Sequence, residues 1–326
     1  MKVLLVLKNV VPVFAYGGTE RVVWDLALAL TELGHNVTLL VNKGSQCNFA
    51  KVVEIDESKD LLLQVSELDF DIAHFQFHLD HEPVFPYVMT EHGNSKTPRE
   101  LPLNTAFVSS NHAKRYGATT YVHNGLDWSS YGKPNFSAKK KYFHFLGHGA
   151  WRVKNLSGAI KVARAAKKEL EVLGGQRFNL SSGIRLTFSS SIHFHGMVGG
   201  ANKLQLLEES KGLIFPVRWH EPFGLAVIES MYMGCPVYAT PYGALPEIVT
   251  PECGFLAQKG SDLVEAIRDR AFDPLACHER AKNEFNHIRM GERYLDLYKR
   301  VVSGEKLQSK APVLRENGHQ LIPWSM

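Results

Sequence analysis

The sequence predicts two doubly wound α/β domains with parallel sheets, one following the other along the chain. Three observations carry this. An apolar run at residues 3–7 leads through a turn into a helical periodicity over 20–33 that stops at Gly34, and then into a short β-branched run at 37–41. Strand, helix and strand joined by short connections imply a parallel sheet. A second series of the same kind opens at 142–146, and 326 residues at 44% hydrophobic and 21% charged suffice for two ordinary soluble cores.

The remaining elements follow in order. Weaker strands are expected at 72–75, 87–90, 105–109 and 121–123. Residues 128–139, with the run Trp128-Ser129-Ser130-Tyr131-Gly132-Lys133-Pro134, have the turn-forming composition of a linker. The second series continues with a helix from about 157 to 171 and strands near 186–188, 212–215, 237–239 and 255–256. Residues 262–302 are mostly helical in pattern, and 303–326 are polar with two prolines, as a loosely docked tail would be. Two successive α/β sets argue for domains that face one another, with ligand sites at the carboxyl ends of the strands. The boundaries expected are 1–130 and 131–290, with 291–326 as a terminal helix and tail.

Composition excludes several classes. Lys8 and Asn9 interrupt the apolar start, so it reads as a buried first strand and not as a signal peptide. No other segment approaches the roughly 20 apolar residues of a spanning helix. Cys47, Cys235, Cys253 and Cys277 show no paired spacing, which favours a reducing, cytoplasmic setting. The net charge of +4 is uneven: residues 1–130 carry 10 Lys/Arg against 15 Asp/Glu, the rest 27 against 18. A basic second half suits phosphate handling, although solvated lysines produce the same balance. Basic patches interleaved with aromatics, as a nucleic-acid surface would show, are not apparent.

The most informative stretch is Trp219-His220-Glu221-Pro222-Phe223-Gly224-Leu225-Ala226-Val227-Ile228-Glu229-Ser230. Pro222 resists helix at Glu221, Gly224 permits close backbone approach, and residues 225–233 read as a helix closed by Gly234-Cys235-Pro236. Glu221 then stands in the loop and Glu229 inside the helix, their carboxylates up to about 12 Å apart. Between them lies a helix N-terminus whose backbone N–H groups favour an anion. That spacing suits a nucleoside diphosphate sugar, with hydroxyls at both ends and a pyrophosphate between. An ordinary amphipathic helix with an acidic first turn accounts for the same spacing.

These residues resemble the family 4 glycosyltransferases, in which two glutamates separated by seven residues precede a Gly-Xaa-Pro-Val turn, here Gly234-Cys235-Pro236-Val237. The resemblance runs nearly end to end: Gly17-Gly18-Thr19-Glu20, Glu91-His92-Gly93, Asn124-Gly125-Leu126-Asp127, Lys154-Asn155 after Gly147, Gly243-Ala244-Leu245-Pro246-Glu247-Ile248-Val249, and Tyr294-Leu295-Asp296-Leu297-Tyr298. It implies a GT-B fold, two domains across a central cleft, with the last helix crossing back to the first. It also implies transfer from a nucleotide sugar with retention of configuration, without a cofactor or an essential metal. In this reading Glu221, His92 and Lys154 are catalytic. Gly18, His148, Arg152, Phe223, Gly224, Leu225 and Glu229 hold the donor, Glu229 at the ribose and Glu221 at the transferred sugar. The partners are a nucleotide-sugar donor, a uridine one as the commonest case, and a glycan or lipid-linked acceptor, with no nucleic acid. Peripheral contact with the inner face of a membrane stays open, and the oligomeric state is not legible.

The chain departs from the family at His148, where an arginine is usual after Gly147; Arg152 is the nearest replacement, and a neutral imidazole neutralises pyrophosphate poorly. Gly17-Gly18, with Thr19 as a cap, opens a helix and lets N–H groups approach a phosphate, but lacks the full dinucleotide fingerprint, which disfavours a nicotinamide-dependent dehydrogenase. His74, His78 and His81 cluster locally; on a strand the first two stand roughly 13 Å apart, too far for one metal ion. Gly243 permits backbone contact with a ligand, and Asn124-Gly125 reads as a left-handed turn. Two rival functions remain. One is an epimerase or phosphorylase of the same fold, and the other a catalytically silent subunit that binds nucleotide sugar or glycan.

Overall fold

The first strand, Lys2–Leu7 (β1), presents one exposed lysine and then five buried residues. Continuous burial, in place of alternation, is what a parallel sheet covered on both faces requires. Thr19–Glu32 (α1) follows, its apolar stripe Val22, Val23, Leu26, Ala27 and Leu30 buried. Asn36–Val41 (β2), Lys51–Glu54 (β3), Ile72–Phe75 (β4), Tyr87–Glu91 (β5) and Thr105–Phe107 (β6) complete a six-stranded sheet in the order β3-β2-β1-β4-β5-β6. All its pairings are parallel. Leu61–Ser66 (α2) and Ser110–Arg115 (α3) begin at Asp60 and Ser109, whose side chains accept from Leu63 N and His112 N.

The second sheet repeats the plan. It comprises Tyr142–Leu146 (β7), Leu156–Ala165 (α4), Leu170–Leu173 (β8), a small antiparallel hairpin of Phe178–Asn179 (β9) and Arg185–Leu186 (β10), and Ile192–Phe194 (β11). Gly200–Glu208 (α5), Ser210–Phe215 (β12), Leu225–Tyr232 (α6), Val237–Ala239 (β13), Leu245–Ile248 (α7), Gly254–Leu256 (β14), Gly260–Asp269 (α8) and Pro274–Glu284 (α9) follow. The order β11-β8-β7-β12-β13-β14 is the same doubly wound arrangement, again parallel. His287–Val302 (α10) is the last helix.

This computed structural model describes residues 1–13, 17–179 and 185–326. The chain divides into one unit of residues 1–127 and 285–318 and another of 128–284 and 319–326. Each has its own core; that of the first gathers Leu4, Val6, Phe75, Met89, Phe107, Tyr116 and Leu314.

Several expectations are revised. The helix expected to 171 stops at Ala165, because Lys167 takes a left-handed φ of 56° and the chain turns straight into β8. Strands β3, β8 and β11 carry no clear period in the sequence, and at 121–123 there is a single bridge, Phe107 to Tyr121, in place of a strand. Thr19 does not cap α1; Gly18 occupies that position, with its carbonyl accepting from Val22 N at 3.2 Å. Residues 128–139 are no loose linker: Trp128–Tyr131 forms a 3-10 turn, and the Trp128 ring stacks on Tyr232 with centroids 4.3 Å apart. Nor is the tail one loosely docked piece. Leu307, Gln308 and Leu314 are buried in the first unit. Residues 319–326 belong to the second, where Ser325 O accepts from Gly260 N at 2.7 Å and Ile322 N donates to Arg218 O at 2.7 Å. Gly125 is not left-handed; a Cβ there would lie 2.0 Å from Asn286 O, so glycine makes room for the backbone that rejoins the first unit at 285.

His74, expected with its neighbours as a surface or acceptor-cleft histidine, is instead fully buried on β4. Its Nδ1 meets Tyr298 Oη and its Nε2 meets Thr90 Oγ1, both at 2.7 Å, and Thr90 Oγ1 meets Tyr294 Oη at 2.9 Å. A polar ladder thus fastens α10 to β4 and β5. His78 Nε2 lies 3.8 Å from Asp80 Oδ1. Among the described residues no helix is long and apolar enough to cross a membrane.

Candidate functional site

In a sheet of this order the topological switch lies between β7 and β12, and the loops leaving their carboxyl ends form a crevice. The loop after β7 carries Gly147, His148, Arg152 and Lys154; the loop after β12 carries Trp219, Glu221, Phe223 and Gly224. Backbone bonds fix them together, Arg218 N donating to Val153 O at 2.7 Å. Asn155, left-handed at φ 55°, caps α4 by accepting from Gly158 N at 3.1 Å, and its Nδ2 donates to Pro216 O at 2.8 Å. The Lys154-Asn155 pair of the sequence therefore has a structural half and a chemical half.

The chemical half is Lys154. Its Nζ donates to both carboxylate oxygens of Glu221, at 2.8 and 2.7 Å, and Trp219 Nε1 adds a third bond to Glu221 Oε2 at 2.8 Å. The ammonium also lies over the rings of Phe215 and Trp219, at 5.3 and 5.1 Å from their centroids. Glu221 is 5% exposed. Burying a carboxylate to that degree is costly, and so close a cation offsets the cost. Gly243, expected to face a ligand, instead receives the Glu221 backbone: a Cβ there would lie 2.2 Å from both Glu221 N and O, and Ala244 N donates to Glu221 O at 2.9 Å.

Gly224 precedes α6 at φ 112°, a conformation that favours glycine, and turns the chain into the helix. Phe223 is buried, while Leu225 and Ala226 at the helix start are half-exposed. Glu229, one turn further in, is buried, and its Oε1 accepts from Lys203 Nζ on α5 at 2.5 Å and from the Tyr131 hydroxyl. Two glutamate–lysine pairs thus accompany the start of α6. His148 stacks on the exposed Trp151, centroids 5.3 Å apart, and Arg152 is exposed on the same turn. The site thus gathers Glu221, Lys154, Phe223, Gly224, Leu225 and Glu229, with His148 and Arg152 on the adjoining loop.

His92 and Gly18 belong to the first unit. His92 follows β5, with Nε2 2.8 Å from Gln76 Oε1, and burial pushes its imidazole down to about 4, so it is neutral near pH 7. A neutral ring whose Nε2–H donates to the amide oxygen keeps Nδ1 as an acceptor. Gly17, at φ 156°, and Gly18 open α1; the preceding residues 14–16 lie outside the described ones.

The sequence carries little signal for three of these contacts: Lys203 is one lysine among several, Tyr131 lies in a turn-forming run, and for Trp219 the Trp219-x-Glu221 spacing is the available signal.

The segment at this site matches a known family. Residues 140–271 match the model described as "Glycosyl transferases group 1". They form a group 1 glycosyltransferase domain. The transferase domain lies in a chain that is 27% identical over 152 residues to an "Uncharacterized 41.2 kDa protein in cps region" of Klebsiella pneumoniae. That match covers 44% of this chain and 41% of the relative, less than half of its length. Among solved structures, the chain is similar to AviGT4, a glycosyltransferase involved in avilamycin A biosynthesis, with TM-score 0.75, 22% identity and coverage of 93% of this chain and 98% of that one. It is also similar to Anabaena Alr3699/HepE in complex with UDP and glucose, with TM-score 0.63, 15% identity and coverage of 92% and 99%. The fold of the transferase domain and of the unit before it is that of GT-B glycosyltransferases.

Proposed function

We propose that the chain transfers a sugar from a nucleotide diphosphate sugar to an acceptor hydroxyl, with retention of configuration, in the building of a glycan or polysaccharide. The observation that carries this is the pair of buried glutamates, Glu221 with Lys154 and Glu229 with Lys203, accompanying a helix start whose first residues reach solvent. Glu229 accepts from the ribose hydroxyls and Glu221 from hydroxyls of the transferred sugar. The diphosphate meets the N–H groups at the start of α6. Lys154, prepositioned between two rings, divides its charge between Glu221 and the departing phosphate, and Arg152 adds to it from the neighbouring turn. His92, on the first unit, offers a neutral ring of the kind that hydrogen-bonds a sugar hydroxyl. The bond from anomeric carbon to phosphate oxygen breaks as the bond to the acceptor oxygen forms, and the acceptor proton passes to the leaving phosphate on the same face. Stabilising charge on that phosphate supplies most of the rate; loss of a single such donor costs about 10²–10³ in kcat.

The Anabaena structure with UDP and glucose supports a uridine donor, and the Klebsiella relative's cps region supports a polysaccharide or lipid-linked glycan acceptor. Four free thiols support a reducing, cytoplasmic setting.

The test is calorimetric titration of UDP, GDP, ADP and their sugars against the wild type and Glu229→Gln. One nucleotide class should bind, and the substitution should weaken it about tenfold or more. Failure of every nucleotide to bind, or binding indifferent to Glu229, overturns the assignment.

A further inference from the structure

The first unit holds a second concave site that the transfer scheme does not use. It is a groove of 440 Å³ between the end of α3 and the segment after α10, lined by Lys114, Arg115, Tyr116, Gly117, Lys310, Ala311, Val313, Arg315 and Glu316. That volume is inside the roughly 300–1,000 Å³ range of small-molecule sites. Four of its lining side chains are cationic and one is acidic. The acid is engaged by one of those cations, Glu316 Oε1 accepting from Arg115 Nε at 3.1 Å and from Nη2 at 2.5 Å, which leaves Lys114, Lys310 and Arg315 for a ligand. Yet the unit as a whole carries 17 basic against 19 acidic residues, so the groove's lining is more cationic than the unit that holds it.

The groove is also built rather than incidental. Val313 N donates to Tyr116 O at 2.9 Å, Leu101 N donates to Pro312 O at 2.8 Å, and Leu314 is buried in the core. Lys310 and Arg315 are thereby held at either side of a pinned segment. The wall continues into the loop that carries His92. Arg115 Nη1 donates to Asn94 Oδ1 at 2.8 Å, the Tyr116 hydroxyl lies 3.3 Å from Gly93 O, and Gly318 N donates to Ser95 O at 2.9 Å.

We infer that this groove binds an anionic saccharide, one bearing carboxylate or phosphate groups, independently of the transfer reading. Guanidinium and ammonium groups at fixed spacing recognise carboxylate and phosphate. The body of the ligand is hydrophilic. Ala311 and Val313 are the apolar aliphatic side chains among the described lining residues, and none of the exposed large apolar side chains of this unit lies in the groove, unlike a membrane-docking face. Tyr116 is buried with its hydroxyl engaged, so the lining presents no ring for a nucleic-acid base to stack on.

The experiment titrates the full chain with a short oligogalacturonate, a neutral glucose oligomer of equal length, inorganic phosphate, a polyglutamate peptide and phosphatidylglycerol vesicles. The same series is run on Lys310→Ala/Arg315→Ala, whose replaced side chains are both exposed. Binding of the acidic oligosaccharide, weakened by salt and about tenfold or more by the double substitution, with the neutral oligomer inert, is the expected result. Equal binding of the neutral oligomer, or acidic-saccharide binding that survives the substitution, overturns it. So does tighter binding of phosphate, peptide or vesicles through these residues. Nucleotide titration of the same variant should match the wild type, so a failure here is distinct from a failure of the donor assignment.

Discussion

Glu221 shows how a single side chain can be indispensable to both stability and chemistry. Its carboxylate is buried and accepts from Lys154 and Trp219, while its backbone packs on Gly243. Removing one partner of such a pair strands the other charge, so Lys154→Met should lower unfolding stability by about 3–5 kcal/mol. Adding Glu221→Gln should recover much of that loss, because the stranded charge goes with it. Urea unfolding of the two variants checks this; a single variant as stable as the wild type would sink the pairing. Gly243→Ala should fail for a different reason. At φ 69° the left-handed backbone alone costs about 1–2 kcal/mol, and the new Cβ would overlap the Glu221 main chain. Its melting temperature should fall and nucleotide binding weaken with it; a variant that binds nucleotide normally would contradict that packing. The placement of Glu221 in a loop and Glu229 inside a helix was legible in the sequence because helix start and spacing are local, whereas Lys154 was marked by the family resemblance alone. Lys203 and Tyr131 were not legible, since nothing local marks one lysine on α5 or one tyrosine in a turn as the partner of a glutamate 26 or 98 residues away.

Elements show the same division between local and remote information. Strands β1, β2, β4, β7 and β13 were readable because each is an apolar or β-branched run bounded by turns, and α6 because Gly224 and Gly234 bracket it. Strand β8 was absorbed into the helix before it, because Lys167 supplies the left-handed turn that a glycine would have announced. The docking of α10 was equally hidden: Tyr294 and Tyr298 look like ordinary amphipathic positions until β4 and β5 present His74 and Thr90 to them. Tyr298→Phe keeps the ring and removes the hydroxyl, leaving His74 Nδ1 buried without that bond. The expected cost is about 1–3 kcal/mol. Thermal unfolding tests it, and an unchanged midpoint would show that water replaces the hydroxyl and that the ladder does not fasten the helix.

At the scale of the whole molecule these buried polar groups set the response to acid. Burial drives His92 down to about 4 and His112 and His144 to about 3, and it pushes His74 well below its ordinary range. Histidines with depressed native values stabilise the fold above the unfolded value of about 6.5, and that contribution is lost as pH falls below it. Two carboxyls act in the opposite sense. Burial raises Asp25 to about 6 and raises Glu91, so both take up protons more readily in the native state as pH falls. The depressed imidazoles outnumber the raised carboxyls, so unfolding takes up protons and stability should fall as pH drops below about 6.5. Each imidazole held neutral steepens that fall by about 1.4 kcal/mol per pH unit at most. His144→Gln offers a check on the assignment. Glutamine can still donate to and accept from Ser210 and Ser230, which hold His144 at 2.6 and 2.8 Å, but it does not titrate. Denaturant unfolding at pH 7, 6 and 5 should give a slope shallower by about one proton in that variant. A wild-type stability flat across this range, or a slope untouched by the substitution, would mean that the buried imidazoles are not what makes the protein sensitive to acid.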